Sequence, residues 1–318
     1  MSSAHIALGP GREFDAVRAT LARLGDTSRG VGDDAAVVEF PAGRRLVLST
    51  DTSVENVHFR REWLSADEIA YRACAAAISD LAAMGAAPLA MTTAFTLPAN
   101  WREQTMALAD GTAQISRRTG MPIVGGDVTD GVVLSICVTV VGSVDPARML
   151  ARSGACDGDT LFVTGRLGGP LLALEAFERG MTPSSHHRER FAHPSPRLLE
   201  GQWLATHGAT AALDISDGVV ADAAHLAAAS RVCVTIDLDA LPTIGGATTD
   251  EASRSGEEYE LLVAGPTSLD TAAFEREFNL PLTPIGRITT AGPNGPRVIA
   301  RDHGVEVPAP HGHDHFGA

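Results

Sequence analysis

Acidic residues recur at five places along the chain, each beside a glycine or a hydroxyl residue and next to an apolar segment. These places are Gly32-Asp33-Asp34, Ser49-Thr50-Asp51, Ser79-Asp80, Gly125-Gly126-Asp127 and Asp214-Ile215-Ser216-Asp217-Gly218. Carboxylate and hydroxyl oxygens are the hard ligands that Mg²⁺ prefers, usually together with phosphate oxygens. Histidine and cysteine, which would favour zinc, are absent from all five. The pattern therefore favours magnesium and chemistry on a phosphate compound.

Asp80 contributes most to this inference, because residues 73–83 are otherwise mainly small and apolar. An unpaired carboxylate in such surroundings is costly, and a bound cation would remove the cost. Each cluster taken alone is also typical of turns and helix caps, and Asp217, just before a predicted helix, is interpreted first as a cap. Five clusters in one chain favour metal binding over that alternative.

The basic residues narrow the chemistry further, since all 25 of them are arginines. The absence of lysine excludes Schiff-base chemistry, a Walker-A loop and the lysine of protein kinases. Any phosphate must then be held by metal ions, arginine or backbone N–H groups. Gly125-Gly126 could bring N–H groups close to an anion, and Arg152 could pair with one. Two alternatives stay open. Arg152 could instead be an ordinary surface arginine, and His58 could be either a substrate contact or a loop histidine.

The overall charge excludes several kinds of partner. Twenty-five basic and 39 acidic residues give a net charge of −14. Such a surface repels phosphate backbones and anionic lipid, so we expect no nucleic-acid and no membrane partner. No apolar run approaches the roughly 20 residues of a membrane helix, and the first residues lack a signal-peptide pattern. The four cysteines are scattered and are expected as free thiols. We therefore expect a cytoplasmic protein.

The elements that must position these residues alternate between helix and strand, which predicts an α/β (α+β) fold in two domains, 1–148 and 149–318. Helices are predicted over 13–24, 65–84, 101–118, 168–180, 196–207, 217–230 and 272–278. Strands are predicted over 35–40, 45–49, 89–97, 122–124, 132–144, 160–164, 211–215, 232–238, 259–264 and 283–288. The polar segment 181–196 is predicted to be a surface loop.

Taken in order, the motifs resemble those of the thiamine-monophosphate kinase family, which belongs to a superfamily with aminoimidazole ribonucleotide synthetase and selenophosphate synthetase. The resemblance spans nearly the whole chain. Besides the five acidic clusters, it includes Asn56 with His58-Phe59, Leu81 to Ala86, Arg152-Ser153-Gly154, Pro194-Ser195-Pro196-Arg197 and Ser255-Gly256-Glu257-Glu258-Tyr259-Glu260-Leu261.

The resemblance implies direct transfer of the γ-phosphoryl group of ATP to thiamine monophosphate, with several Mg²⁺ ions and no phosphoenzyme. It also implies a two-domain fold whose N-terminal domains pair in a homodimer. The implied metal ligands are Asp34, Ser49, Thr50, Asp51, Asp80, Asp127, Asp214 and Asp217. The implied ATP contacts are Gly126, Asp127, Arg152 and Ser216, and the implied substrate contacts are His58, Glu257 and His313.

The sequence departs from the family pattern at two positions. His313 stands where the family carries an aromatic residue, and Glu258 follows Glu257 where the family more often has aspartate. Two alternatives stay open: a related ATP-dependent synthetase or hydrogenase-maturation enzyme, and a non-catalytic module that binds Mg²⁺ or nucleotide. Residues 1–30 lack the reactive cysteine of selenophosphate synthetase, and the last residue is not the cysteine of the hydrogenase-maturation relative. Both observations favour the kinase.

Overall fold

The computed structural model describes residues 12–32, 34–293 and 295–312. The chain forms two compact units. The N-terminal unit comprises Met1–Leu81 and Ala87–Asp145, and the C-terminal unit comprises Ala82–Ala86 and Pro146–Ala318. Both units combine helices with a sheet, which confirms the predicted α/β class. Among the described residues, no helix has both the length and the apolar character needed to cross a membrane.

Among its described residues, the N-terminal unit contains three α-helices and a four-stranded sheet. The helices are α1 (Arg12–Leu24), α2 (Ala66–Ala83) and α3 (Thr105–Thr119). The strands are β1 (Arg45–Val54), β2 (Ala87–Leu97), β3 (Ile123–Asp130) and β4 (Ser135–Val144). The strand order is β1-β4-β2-β3, with β2 and β3 parallel and the other pairs antiparallel. The edge strands are therefore β1 and β3.

The two faces of this sheet differ in burial. On β4, Ile136, Val138 and Val140 are fully buried, whereas the alternating Cys137 and Thr139 are half-buried. Successive side chains of a strand point to opposite faces, so one face packs in the core and the other is more open. Helix α2 begins as predicted, because the backbone N–H of Ser65 donates to Glu68 Oε2 at 2.9 Å.

Three strand predictions in this unit need correction. Residues 35–40 form no strand, and Val37 within them is 90% exposed. Strand β1 does not end at Ser49 but continues to Val54, because β4 pairs with it throughout. Strand β3 likewise continues from Val124 to Asp130 along β2. Pairing partners that are distant in sequence decided these lengths, and the local pattern does not contain them.

The C-terminal unit contains six helices and a seven-stranded sheet among its described residues. The helices are α4 (Gly169–Glu178), α5 (Ser185–Ala192), α6 (Leu198–Thr206), α7 (Val219–Ser230), α8 (Thr249–Arg254) and α9 (Thr271–Phe278). The strands are β5 (Thr160–Thr164), β6 (Ala211–Asp214), β7 (Val232–Asp237), β8 (Leu261–Gly265), β9 (Leu282–Thr290), β10 (Arg297–Asp302) and β11 (Val305–Val307). The strand order is β11-β10-β7-β9-β5-β8-β6.

The apolar core of this unit includes residues of strands β6, β7 and β8, where Leu213, Val234 and Leu262 are at most 1% exposed. The predicted surface loop 181–196 is wrong, because it contains α5. Ser184 caps this helix by accepting a hydrogen bond from the N–H of His187 at 3.2 Å. The helix also buries Phe191, whose ring centroid lies 5.8 Å from that of Phe177. Helix α8 and strands β10 and β11 were not predicted.

Candidate active site

A cleft of about 390 Å³ lies in the N-terminal unit. It is lined by residues 30–32 and 34–36 and by Thr92, Thr93, Ala94, Val124, Gly125, Gly126, Asp127, Cys137 and Thr139. Three of the expected site residues, Asp34, Gly126 and Asp127, therefore share one cavity. Asp33 lies outside the described residues.

The glycines of this cleft belong to strand β3 rather than to a turn after a strand, which corrects their expected setting. A Cβ atom on Gly126 would lie 2.2 Å from the carbonyl oxygen of Thr93 on the neighbouring strand β2. Only glycine permits so close an approach between the two backbones. Asp127 comes next on the strand and is exposed, so its carboxylate can meet a ligand in the cleft.

A second group of oxygen ligands surrounds the last turn of α2. The hydroxyl of Ser49 donates to Asp80 Oδ2 at 2.5 Å, which joins two residues that are 31 positions apart. The neighbouring hydroxyl oxygen of Ser79 is buried and finds no hydrogen-bond partner within the described part of the chain. Asp51 lies two residues beyond Ser49 on β1, hence on the same side of the strand, and its carboxylate accepts from the N–H of Thr52 at 2.7 Å.

Thr50 points to the other side of β1 from Ser49 and Asp51. Its Oγ1 atom lies 3.1 Å from Thr139 Oγ1 and 3.5 Å from Cys137 Sγ, and both of these residues line the cleft. The consecutive residues Ser49 and Thr50 therefore contribute to different groups. That the cleft group and the Ser49–Asp80 group share metal ions stays a prediction.

His58 is held in the connection between β1 and α2. Its ring atom Nδ1 accepts from the N–H of Val54 at 3.1 Å, so the neutral ring carries its proton on Nε2. The buried guanidinium of Arg72 donates to the His58 carbonyl oxygen at 3.2 Å. Asn56 adopts the left-handed region at φ 68°, which closes the loop tightly. The ring of His58 is thereby fixed in orientation, as a substrate contact requires.

In the C-terminal unit, the acidic loop that follows β6 is organised by Asp222. The sequence analysis missed this residue. One oxygen of Asp222 accepts the N–H groups of Ser216, Asp217 and Gly218, each at 3.1 Å. Asp217 is therefore not the cap of α7, which corrects the first interpretation. An acidic residue in the first turn of a predicted helix is the signal that could have identified Asp222.

Asp222 is 2% exposed, and Asp214 at the end of β6 is 6% exposed. Burial, and then the nearby charge of Asp214, raise the pKa of Asp222 to about 8. Hydrogen bonds from the three amides oppose this shift only in part. Two close carboxylates in a buried loop favour a cation beside them; that Asp214 and Asp217 bind one stays a prediction.

The expected ATP contact Ser216 and the expected substrate contact Glu257 lie side by side in this unit. The N–H of Glu257 donates to the carbonyl oxygen of Ser216 at 2.7 Å. A Cβ atom on Gly256 would lie 2.6 Å from that same oxygen, so this close approach requires glycine. Glu257 is half-buried, whereas Glu258 is 1% exposed and ion-paired with Arg190 at 3.0 Å. Of the two glutamates, Glu257 is the one that a ligand can reach.

Two further expected contacts are less constrained. Arg152 is exposed, and among the described residues its guanidinium has no hydrogen bond or ion pair; its carbonyl oxygen accepts from the hydroxyl of Ser230 at 2.6 Å. His313 lies outside the described residues. The preceding residue, Gly312, packs so closely that a Cβ atom there would lie 2.5 Å from the carbonyl oxygen of Asp217.

Comparison with known proteins identifies the family. Residues 32–144 match the family model "AIR synthase related protein, N-terminal domain". The thiamine-monophosphate kinase of Salmonella typhimurium is 36% identical over 295 residues, which cover 87% of this chain and 88% of that protein. The chain belongs to the thiamine-monophosphate kinase family. Membership confirms the resemblance found in the sequence and the expected class of enzyme, a phosphotransferase.

Solved structures of the family agree with the fold. The thiamine-monophosphate kinase of Stenotrophomonas maltophilia K279a superposes with a TM-score of 0.79 at 34% identity, covering 94% of this chain and 98% of that one. A second structure, AaThiL complexed with AMPPCP and TMP, superposes with a TM-score of 0.75 at 28% identity, covering 95% of this chain and 96% of that one. The fold of this chain is thus that of the thiamine-monophosphate kinase family.

Proposed function

We propose that this chain transfers the γ-phosphoryl group of ATP directly to the phosphate of thiamine monophosphate, forming thiamine diphosphate, with Mg²⁺. The observation that carries the proposal is the cleft in which Asp34, Gly126 and Asp127 meet, in a chain of this family. The related AaThiL structure was solved with AMPPCP and TMP, which supports the same pair of substrate classes here.

The donor atoms of the site fit magnesium. Asp34 and Asp127 in the cleft, and Asp80 with Ser49, all offer oxygen, and Mg²⁺ is held by carboxylates together with phosphate oxygens. The proposed ligands are Asp34, Ser49, Thr50, Asp51, Asp80, Asp127, Asp214 and Asp217. When bound, the ions would neutralise the phosphate charge that otherwise repels these carboxylates. This role replaces the lysine that the chain lacks.

For ATP, we propose contacts with Gly126, Asp127, Arg152 and Ser216. The exposed guanidinium of Arg152 is suited to a phosphate, because arginine pairs with oxyanions through two parallel hydrogen bonds. Gly126 itself adds no side chain to the cleft. Phosphoryl transfer depends on alignment and charge neutralisation more than on covalent catalysis.

For thiamine monophosphate, we propose contacts with His58, Glu257 and His313. His58 holds its Nδ1 atom against the backbone of Val54, which leaves the Nε2–H as the donor side of the ring. The acceptor is itself a phosphate and is already nucleophilic near neutral pH. We therefore assign no general base.

We further propose a homodimer paired through the N-terminal unit, in the cytoplasm. The edge strand β1 exposes Leu46 and Leu48 by 60% and 62%, on the same face as the cleft residues Cys137 and Thr139. Exposed leucines on an unpaired edge are unusual for a chain that acts alone and favour a second copy as their partner. All four cysteines are free thiols, as the cytoplasm maintains them.

The test is incubation of the purified protein with ATP, Mg²⁺ and thiamine monophosphate, followed by chromatographic measurement of thiamine diphosphate and ADP. We expect equal amounts of the two products, and none when Mg²⁺ is withheld or when thiamine replaces its monophosphate. If ATP binds by calorimetry but no thiamine diphosphate forms above background, the non-catalytic module is correct instead.

A further inference from the structure

The segment that carries Glu257 adopts an unusual backbone conformation. Glu257 has φ 56° and Tyr259 has φ 52°, both in the left-handed region. Side chains with a Cβ atom disfavour this region, and two such residues separated by one other persist only where their surroundings hold them. The backbone N–H groups of Glu257 and Tyr259 donate to the carbonyl oxygens of Ser216 and Ile215, and Glu258 between them is held through its side chain as well.

Glu258 is fixed on all sides by buried contacts within the C-terminal unit. Its Oε1 atom accepts from the N–H of Gly168, at the start of α4, at 2.5 Å. Its Oε2 atom accepts from Arg190 Nη2 at 3.0 Å, and the same Nη2 donates to its carbonyl oxygen at 3.3 Å. The guanidinium of Arg190 therefore binds both the side chain and the backbone of Glu258. This contact prevents Glu258 from rotating without breaking an ion pair.

Arg190 also reaches the next glutamate along the segment. Its Nη2 atom lies 3.0 Å from Glu260 Oε1. Glu260 does not depend on this contact, since Arg197 donates to both of its oxygens at 2.5 and 2.7 Å and Thr164 donates to it at 2.7 Å. Glu260 is thus anchored to the sheet by other residues, whereas the link from Glu258 to α5 is made by Arg190.

We propose that Arg190 and Glu258 form a positioning pair, which holds Glu257 in its left-handed conformation beside Ser216 and so orients it toward the phosphorylated substrate. The inference rests on the proposed function, because Glu257 is placed there as a contact to thiamine monophosphate. Helix α5, which carries Arg190, is thereby part of the site's support.

The burial of the pair determines how it can be tested. Removing Arg190 alone would leave the carboxylate of Glu258 buried without its partner, which can unfold a protein for reasons unrelated to the site. The double variant Arg190→Met with Glu258→Gln removes both charges together and keeps an oxygen that can accept from Gly168. The variant Arg179→Met, which breaks an exposed pair with Glu175 on α4, is the control.

Three measurements distinguish positioning from stability: the melting temperature, the hydrogen exchange of a peptide spanning 255–262, and the separate kinetic constants for the two substrates. In the double variant we expect near wild-type melting, exchange of this peptide about tenfold faster, and KM for thiamine monophosphate about tenfold higher, with kcat and KM for ATP within about twofold. The control should match the wild type throughout.

Unchanged exchange of the peptide overturns the positioning role, and so does an equal rise in both KM values. The exchange experiment needs no substrate and therefore tests the pair even if the proposed reaction is wrong. Conversely, a wild-type protein that forms no thiamine diphosphate contradicts the proposed function and leaves the exchange result to decide the role of the pair.

Discussion

The carboxylates of the two units are compensated in different ways. In the N-terminal unit, Asp34 and Asp127 are exposed and line a cleft whose described walls contain no basic side chain. In the C-terminal unit, Asp222, Glu258 and Glu260 are at most 2% exposed, and each is already bonded to arginines or backbone N–H groups. Acidic residues of the same type thus have two different local environments.

The difference shows which carboxylates are available for a cation. A buried carboxylate must be paired within the protein, because an unpaired charge in the interior is strongly unfavourable. Exposed carboxylates in one cleft repel one another only weakly in water. A cation that binds between them removes this repulsion and stabilises their charged form. We therefore assign metal binding mainly to the N-terminal unit and structural support mainly to the buried glutamates.

The largest expected effect is on catalysis, from Asp127→Asn in the N-terminal cleft. Loss of one metal-binding carboxylate should lower kcat/KM on the order of 100-fold or more, with an unchanged melting temperature, because the residue is exposed and supports no core packing. Steady-state kinetics at limiting and saturating Mg²⁺ would measure it.

The matched control is Asp130→Asn, which changes another exposed carboxylate of strand β3, paired at 2.9 Å with Arg102. It should leave kcat/KM within about twofold, since exposed ion pairs contribute little. Equal loss of activity in both variants would mean that overall charge, rather than a ligand at Asp127, was removed.

A stability effect of intermediate size is expected from Arg197→Met in the C-terminal unit. This substitution removes the ion pair between Arg197 and Glu260. The negative charge of Glu260, whose side chain is 1% exposed, is then only partly balanced. We expect the free energy of unfolding in urea to fall by about 3 kcal/mol. Arg254→Met, which breaks an exposed pair with Asp250, should cost less than about 0.5 kcal/mol. Similar values for both would show that the two environments do not differ.

The smallest expected effect depends on pH and arises at Asp222. Its pKa is raised to about 8, from 3.8 in the reference state. Between these two pH values the folded protein retains a proton that the unfolded chain releases. The free energy of unfolding therefore falls as the pH rises from 3.8 to about 8. Asp222→Asn, which keeps an oxygen for the three amides, should therefore gain stability relative to the wild type as the pH rises from 5 to 8.

This measurement is made by urea unfolding in EDTA, so that no divalent cation screens the loop. Added Mg²⁺ should reduce the difference between variant and wild type, because a cation stabilises the charged form of both neighbouring carboxylates. A difference that stays constant from pH 5 to 8 would show that Asp222 is ionised throughout, as its three amide donors alone would make it.

The regular elements were predicted well where local pattern and burial agree. Strand β5 matches the predicted range, and α2 begins within one residue of it, because a capping pair and a stop at Gly85 bound an apolar run. Helix α5 was missed, since its sequence is polar and only two described residues, Phe191 and Ala192, show that one side is buried. Packing of α5 against neighbouring elements, rather than its own sequence pattern, stabilises it as a helix.

The sequence by itself determined the chemistry. Oxygen ligands without histidine or cysteine, and the absence of lysine, restrict phosphate binding to metal ions, arginine and backbone amides, whatever the fold. Only the tertiary structure decided where the carboxylates lie and which of them are accessible to a ligand. It turns Ser49 and Thr50 to opposite sides of β1, brings Asp222 of α7 onto the backbone N–H groups of the preceding loop, and buries Glu258 while Glu257 remains accessible. Strand register and burial depend on residues far apart in the chain, and local spacing carries no record of them.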